Sequence, residues 1–549
     1  MSLAGLDFGL PPFSTETLPE FADEDSCRVW LAGLPLTNIT LAQTRLTLQL
    51  NLLNRYPLRT DRRLRVLELL EEPIAFVQEQ CLLRYAGRPL PFNVTEQAAF
   101  DSSQALWQEL VTGYLHCLDA AAGPAAGAVL SPHQMASLAA TRALKAMSAI
   151  YFDACQANFL TAPTFWRQLH MIFAAAEAMK ASQLPIEDDS RYKSTAASAY
   201  VVVLLLAASA PIELGPKQRH LVVDWAQRWA NKVTVLNRTP ADQRTPPLCV
   251  DLSSDQAATF QQHPAQSDVL RWLDLSELRK SIKKRLVLLA QGESPQALQL
   301  GKDCEQPGCE ALLKRIYRCW CKGGLKEDAA KVRSTQHGKP NCHVVSGFEA
   351  IHYQLTGQIT LKQDGSIYLK NRQHEEIATF GRTTTYFAEG NGEPPDLKLE
   401  EWRIIDQHAA ALRLERPLSP PGKPMAREQL VAVRIHDGEG FMLGKLVWIA
   451  MSASRDALVA RIDLFPGRPE GAGMRRVDPG PAHVQYSRCL FLPDVDQLGE
   501  AASMLLPAGW FAANRILAVK TQTEETRQVR LDRLVGRGAD FERATFVGL

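Results

Sequence analysis

The spacing of the hydrophobic residues changes once along this chain of 549 residues, and that change limits what it can fold into. Up to about residue 320 apolar residues recur at three and four, the spacing that lines one face of a helix. Leu67, Leu70, Ile74, Val77 and Cys81 form one such stripe, with Pro73 a candidate kink. Leu106, Leu110, Tyr114 and Cys117 form a second, and Trp166, Leu169, Phe173, Ala176 and Met179 a third. Val222, Trp225 and Trp229 follow, and Leu275, Leu278, Ile282, Leu286 and Leu289 close the series. Beyond about residue 340 short apolar runs alternate between turn residues, which reads as strands. The expected fold is therefore a multidomain α + β chain, with a helical first half and an antiparallel β half.

One stretch fits both periods. Leu46, Leu48, Leu50 and Leu52 alternate like a strand, whereas Leu46, Leu50 and Leu53 step like a helix. Helix is chosen, because the neighbours are helical and Thr37 or Asn38 can cap it. Residues 160–235 have the style of stacked helical hairpins, as in tetratricopeptide-like arrays, although no clean 34-residue repeat is present. A bundle stays open beside an array. In the second half, Ile359 to Leu369 reads as a hairpin turning at Asp364-Gly365. Leu430–Val433 with Leu446–Ile449 forms another, Ala457–Ile462 is a strand, and Arg515–Val519 with Val529–Leu531 forms the last. Leu418–Pro424 and Pro466–Pro481 read as loops. The domain reading is an acidic flexible tail at 1–30, a helical domain at 31–160 and a helical-hairpin domain at 161–300. A basic, cysteine-containing linker follows at 301–345, then a β-barrel domain at 346–549.

Charge excludes some functions. Lys plus Arg is 61 and Asp plus Glu is 60, so net charge does not drive binding to nucleic acid or to an anionic membrane. The apolar run Ala196–Ile212 contains Ser198, Tyr200 and Ser209 and is too short to span a bilayer, which needs about 20 residues. It reads as a buried core helix. The first residues have neither a basic start nor a continuous apolar core, and the 11 cysteines are scattered. Both features suit a cytoplasmic protein.

No catalytic constellation is visible. His436-Asp437 falls in a hairpin turn, where Asp-Gly serves the backbone, and Gly438, Gly440 and Gly444 precede no helix. Cys304, Cys309, Cys319 and Cys321 lack the spacing of a zinc site, and packing is the simpler account. The basic run Arg279, Lys280, Lys283, Lys284 and Arg285 alternates with Leu278, Ile282 and Leu286, so it reads as the solvated face of a helix.

Four segments carry a resemblance. Arg45–Leu70 (RLTLQLNLLNRYPLRTDRRLRVLELL) and the Trp166–Leu214 block resemble the helical region of large PilZ-related proteins of proteobacteria. Ser346–Gly357 (SGFEAIHYQLTG) and Trp402-Arg403-Ile404-Ile405-Asp406 resemble parts of their C-terminal β domain. The resemblance implies a PilZ-like antiparallel barrel and, as ligand, cyclic di-GMP. The family motif is R-x-x-x-R ahead of the barrel and D/N-x-S-x-x-G on a strand. Arginines grip phosphates and the Hoogsteen edge of guanine in paired hydrogen bonds.

This chain departs from that motif. The second element maps to Asp406-Gln407-His408-Ala409-Ala410-Ala411, with His408 for Ser and Ala411 for Gly. The first maps to Ala329–Arg333, where only Arg333 is arginine, or to Arg318–Lys322, where Lys lacks the planar fork. The candidate ligand residues are Arg333, Asp406 and His408, with Arg403 and Arg413 as further cations. A complete site is expected to exceed this one by about 3 kcal/mol or more, which puts Kd above ~100 µM. The expected function is a non-enzymatic signalling protein. It would couple a degenerate ligand barrel to a helical half that binds an unidentified protein partner. It would use no cofactor or metal, engage no nucleic acid and insert in no membrane. The alternative is a pure adaptor that no longer binds nucleotide.

Overall fold

A computed structural model describes residues 7–16, 18–123, 130–187, 192–240, 247–261, 267–324, 341–357, 399–408, 410–435, 440–477, 486–521 and 525–549. The chain divides into two units. One holds residues 1–88 and 92–329, the other 330–549 with Pro89–Pro91.

The first unit is built from helices α1 (Glu24–Ala32), α2 (Ile39–Arg55), α3 (Thr60–Leu82), α4 (Val94–Ala121), α5 (Pro132–Gln156), α6 (Pro163–Ala178), α7 (Ala196–Ala208) and α8 (Pro216–Trp229). Strands β1 (Thr234–Leu236), β2 (Leu248–Asp251), β3 (Thr259–Phe260) and β4 (Leu270–Asp274) come next, then α9 (Ser276–Ala290) and α10 (Gly308–Cys321). Composition assigns residues up to 30 to a tail, yet α1 reaches back to Glu24 and buries Cys27 and Trp30 beside Phe21. Asp23 caps it, accepting from Ser26 N at 2.9 Å.

In α2 the helical spacing prevails over the strand-like alternation. Leu46, Leu50 and Leu53 are buried, while Leu48 is 54% exposed. Each buried leucine contributes roughly 1.5–3 kcal/mol, so the helix that buries three outweighs a strand that would expose some of them. Asn38 is the cap, its side chain accepting from Leu41 N at 3.2 Å. Helix α3 runs through Pro73. Helix α7 is the apolar run and is buried along most of its length. Among the described residues, no helix is long and apolar enough to cross a membrane.

Two features of this unit differ from the sequence reading. Strands β1–β4 form a sheet in the order β1-β4-β2-β3 inside a region read as helical. Each has five residues or fewer, too short for alternation to show. Cys304 and Cys309 are joined by a disulfide, which removes two thiolates from any four-cysteine site. Cys319 and Cys321 are buried in α10, and desolvation pushes their thiols up to about 11 and about 12. On α9, Lys280, Lys283 and Lys284 face solvent, as the amphipathic reading expects. Arg285 instead lies over the Trp229 ring at 5.3 Å and donates to Leu298 O.

The second unit opens with β5 (Asn341–Ser346) and α11 (Phe348–Thr356). Strands β6 (Glu400–His408), β7 (Ala411–Pro417), β8 (Leu430–Ile435), β9 (Met442–Met451) and β10 (Ala457–Leu464) follow. With β5 they close a barrel in the order β10-β7-β6-β5-β8-β9. Strands β11 (Glu470–Arg476), β12 (Ser487–Leu492), β13 (Ser503–Pro507), β14 (Ile516–Lys520), β15 (Thr526–Arg537) and β16 (Phe541–Gly548) close a second, in the order β11-β12-β13-β16-β15-β14. Helical first half and barrel-forming second half are as the sequence implies.

One local reading is corrected. Strand β11 lies inside Pro466–Pro481, read as a loop, because Gly471 and Gly473 break the apolar alternation. Ser346–Gly357, likened to part of the C-terminal β domain, lies where the second unit opens: it ends β5 and then forms α11. The hairpin at Ile359–Leu369 and the His436-Asp437 turn lie outside the described residues.

Helix α11 packs on β11 and β12 of the second barrel. Its Glu349 pairs with Arg488 at 2.8 Å, and His352 Nε2 lies 3.1 Å from Ala472 O. One apolar cluster joins Val345, Ile351, Leu430 and Leu443 to Leu490, Leu505 and Phe541, so the barrels share a core.

Candidate ligand face on the first barrel

The candidate residues meet on the β6–β7 hairpin because β6 is irregular. In a regular strand Arg403 and Asp406, three apart, would point to opposite faces. The pairing steps from Ile404↔Leu414 to Asp406↔Arg413, which leaves Ile405 as an extra residue. Such a bulge reverses the alternation. Arg403, paired with Glu415, and Asp406, paired with Arg413, therefore share the outer face, while Trp402, Ile404, Leu412 and Leu414 fill the interior.

The register of the next strands extends this face. Arg413 stands opposite Arg461 on β10, and Arg461 opposite Trp448 on β9. Asp406, Arg413, Arg461 and Trp448 thus form one row across four strands. Arg403 pairs with Glu415 at 3.2 Å, Arg461 with Asp463 at 3.0 Å, and His408 Nε2 lies 3.1 Å from Asp406 Oδ2. Arg413 is exposed and lies over the Trp448 ring at 5.7 Å, in cation–π range. It makes no ion pair among the described residues.

Chemically, the row offers an exposed guanidinium in cation–π range of an aromatic ring, a second one beside it and a carboxylate opposite. A guanidinium, itself planar, donates in a fixed plane to phosphate oxygens or to a purine edge. A carboxylate accepts from the N–H groups of guanine. Ala411, in the motif's glycine position, is buried at the strand start, so its methyl group fills space that glycine would leave open.

The structure brings four of the five candidates together: Arg403, Asp406, His408 and Arg413. Arg333 lies outside the described residues. Sequence reasoning missed Arg461 and Trp448. They are 48 and 35 residues from Arg413, and only the strand register aligns them.

A helical half followed by barrels is the architecture that the PilZ resemblance implies. The domain family described as the cyclic-di-GMP receptor FimW, N-terminal domain, matches residues 25–241. The FimW C-terminal beta-barrel domain matches residues 472–549. Together these stretches cover more than half of the chain, and it belongs to the FimW family. The first barrel lies between the matched stretches. No curated protein and no solved structure matches the chain.

Proposed function

We propose that this protein is a non-enzymatic signalling protein that takes up cyclic di-GMP on the outer face of the first barrel. Its helical half would pass the bound state to a protein partner. Family membership supports the ligand, since the family is described as a cyclic-di-GMP receptor. One observation supports this reading of the site: Arg413, exposed and within cation–π range of Trp448, stands opposite Asp406 without an ion-pair partner among the described residues. Counting arginines in the motif leaves one. Strand pairing sets Arg413 opposite Asp406 and adds Arg461, so the geometry favours binding tighter than the ~100 µM limit the motif count implies. Arg333, the one arginine at the motif position, is a further candidate for the phosphate contact.

The test is calorimetric titration of the full chain with cyclic di-GMP. Saturable binding is expected. Arg413→Ala is expected to weaken it tenfold or more, as the loss of one paired contact does at about 1–3 kcal/mol. No saturable binding up to about 1 mM would leave the adaptor reading in its place. Binding unchanged by Arg413→Ala and Asp406→Ala would put the ligand on another surface.

A further inference from the structure

We infer that the first barrel holds a second binding site, centred on Arg416 and sharing only Arg403 with the candidate ligand face, for a small planar organic carboxylate. A cavity of about 850 Å³ lies between the start of β6, the end of β7 and the segment after it. That volume is in the range of small-molecule sites. Leu399, Trp402, Pro420, Pro421 and Pro424 give it flat apolar walls, and Arg416 lines it among them.

Arg416 carries the argument. It is 3% exposed and lies over the Trp402 ring at 5.4 Å. Its Nη1 donates to the Glu400 carboxylate and to Lys423 O. Its Nε and Nη2 are buried and have no acceptor among the described residues, and neither has Trp402 Nε1. The Nε–H and Nη2–H bonds run parallel along one edge of the guanidinium, the edge that matches both oxygens of a carboxylate. Buried donors are nearly always paired, so three beside one cavity without an acceptor among the described residues point to an acceptor supplied by a ligand.

The surroundings define the ligand further. Arg403, Arg416 and Lys423 line the cavity against Glu400 and Glu401, one positive charge in excess, so a monoanion suits it better than a phosphate dianion. Glu400 is held in place, since its Oε1 accepts from Lys423 N at 2.6 Å. A Cβ on Gly422 would come 2.7 Å from that same oxygen, so glycine lets the proline segment close over the pair. Proline faces and an indole ring favour a planar body behind the carboxylate. This inference stands apart from the cyclic di-GMP reading.

The probes are 2-naphthoate, its neutral isostere 2-naphthamide and inorganic phosphate, each titrated calorimetrically into the full chain. Saturable binding of 2-naphthoate is expected, with the amide and phosphate at least tenfold weaker. Arg416→Lys keeps a charge but lacks the fork, and is expected to weaken 2-naphthoate about tenfold. Trp402→Phe keeps a ring and removes one donor, and serves if Arg416→Lys fails to fold; a several-fold loss is expected. No saturable binding of 2-naphthoate, equal binding of the amide, or affinity unchanged in either folded variant would overturn the inference.

Discussion

Asp153, near the end of α5, shows what one buried carboxyl does to the helical half. It accepts hydrogen bonds from Tyr85 Oη at 3.2 Å, Ser103 Oγ at 3.2 Å and Trp107 Nε1 at 3.1 Å. Burial outweighs those three bonds and pushes its carboxyl up to about 6. A folded-state pKa above the unfolded value means the folded protein holds the proton more tightly. The stabilisation is therefore complete below the unfolded pKa near 4 and lost as pH rises through about 6. Two units correspond to roughly 3 kcal/mol. Asp153→Asn keeps an acceptor oxygen and removes the charge. Between pH 4 and 7 the wild-type unfolding free energy is expected to fall by up to ~3 kcal/mol relative to that variant, measured by urea unfolding. His116 runs the opposite way, since burial and Arg63 hold its imidazole at about 4. Its contribution is present above about 6.5 and lost as pH falls toward 4, and it cancels in the comparison. Parallel pH curves for the two proteins would show that Asp153 ionises without penalty. At this scale the ligand face was partly legible. Asp406 and Arg403 stand in quotable motifs, whereas Arg461 and Trp448 carry no local signal and become neighbours only through pairing.

Elements were legible where one period dominated. Helix α2 could be chosen over a strand because its neighbours are helical and Asn38 stands where a cap is needed, and the exposure of Leu48 agrees with that choice. Strands β1 to β4 could not be seen, since two to five residues do not establish a period. Strand β11 was hidden by its glycines, and the structure gives one of them a reason. A Cβ on Gly471 would come within contact-breaking distance of Thr356 Cγ2 and 3.3 Å from the His352 ring, so glycine lets α11 lie against the second barrel. Gly471→Ala is expected to cost about 1–3 kcal/mol by overpacking. Thr356→Ser deletes the obstructing methyl group and is expected to restore part of that loss in the double variant. Thermal unfolding of the four proteins of the cycle checks it. Strictly additive effects would mean that α11 shifts freely and that the approach is not tight. The bulge at Ile405 was equally invisible, because a bulge leaves no mark on the residues that it realigns.

At the scale of the second unit, the two barrels are one folding problem. The sequence groups their strands in a single domain, and the structure separates them into two closed sheets of six strands. Closure leaves neither barrel with a free sheet edge, so each could in principle stand alone. The shared cluster argues otherwise. Leu430, Leu443 and Ile351 from the first barrel and its helix bury against Leu490, Leu505 and Phe541 of the second. The Asp540 carboxylate accepts from Leu430 N at 2.8 Å, and Ala539 N donates to Glu428 O at 2.7 Å, so hydrogen bonds cross as well. Separating the barrels would expose large apolar side chains at roughly 1.5–3 kcal/mol each, a sum comparable to the whole stability of a domain. A fragment of residues 330–549 is therefore expected to fold as a β-rich unit and to unfold in a single transition. Circular dichroism and tryptophan fluorescence should give coincident curves, with Trp402 and Trp448 reporting on one barrel and Trp510 on the other. Leu505→Ala, placed in the second barrel, is expected to lower the unfolding free energy of the whole unit by the ~2–5 kcal/mol of a buried leucine. Two separated transitions, or a Leu505→Ala effect seen by one probe only, would show that the barrels fold independently and that the shared cluster is a contact rather than a common core.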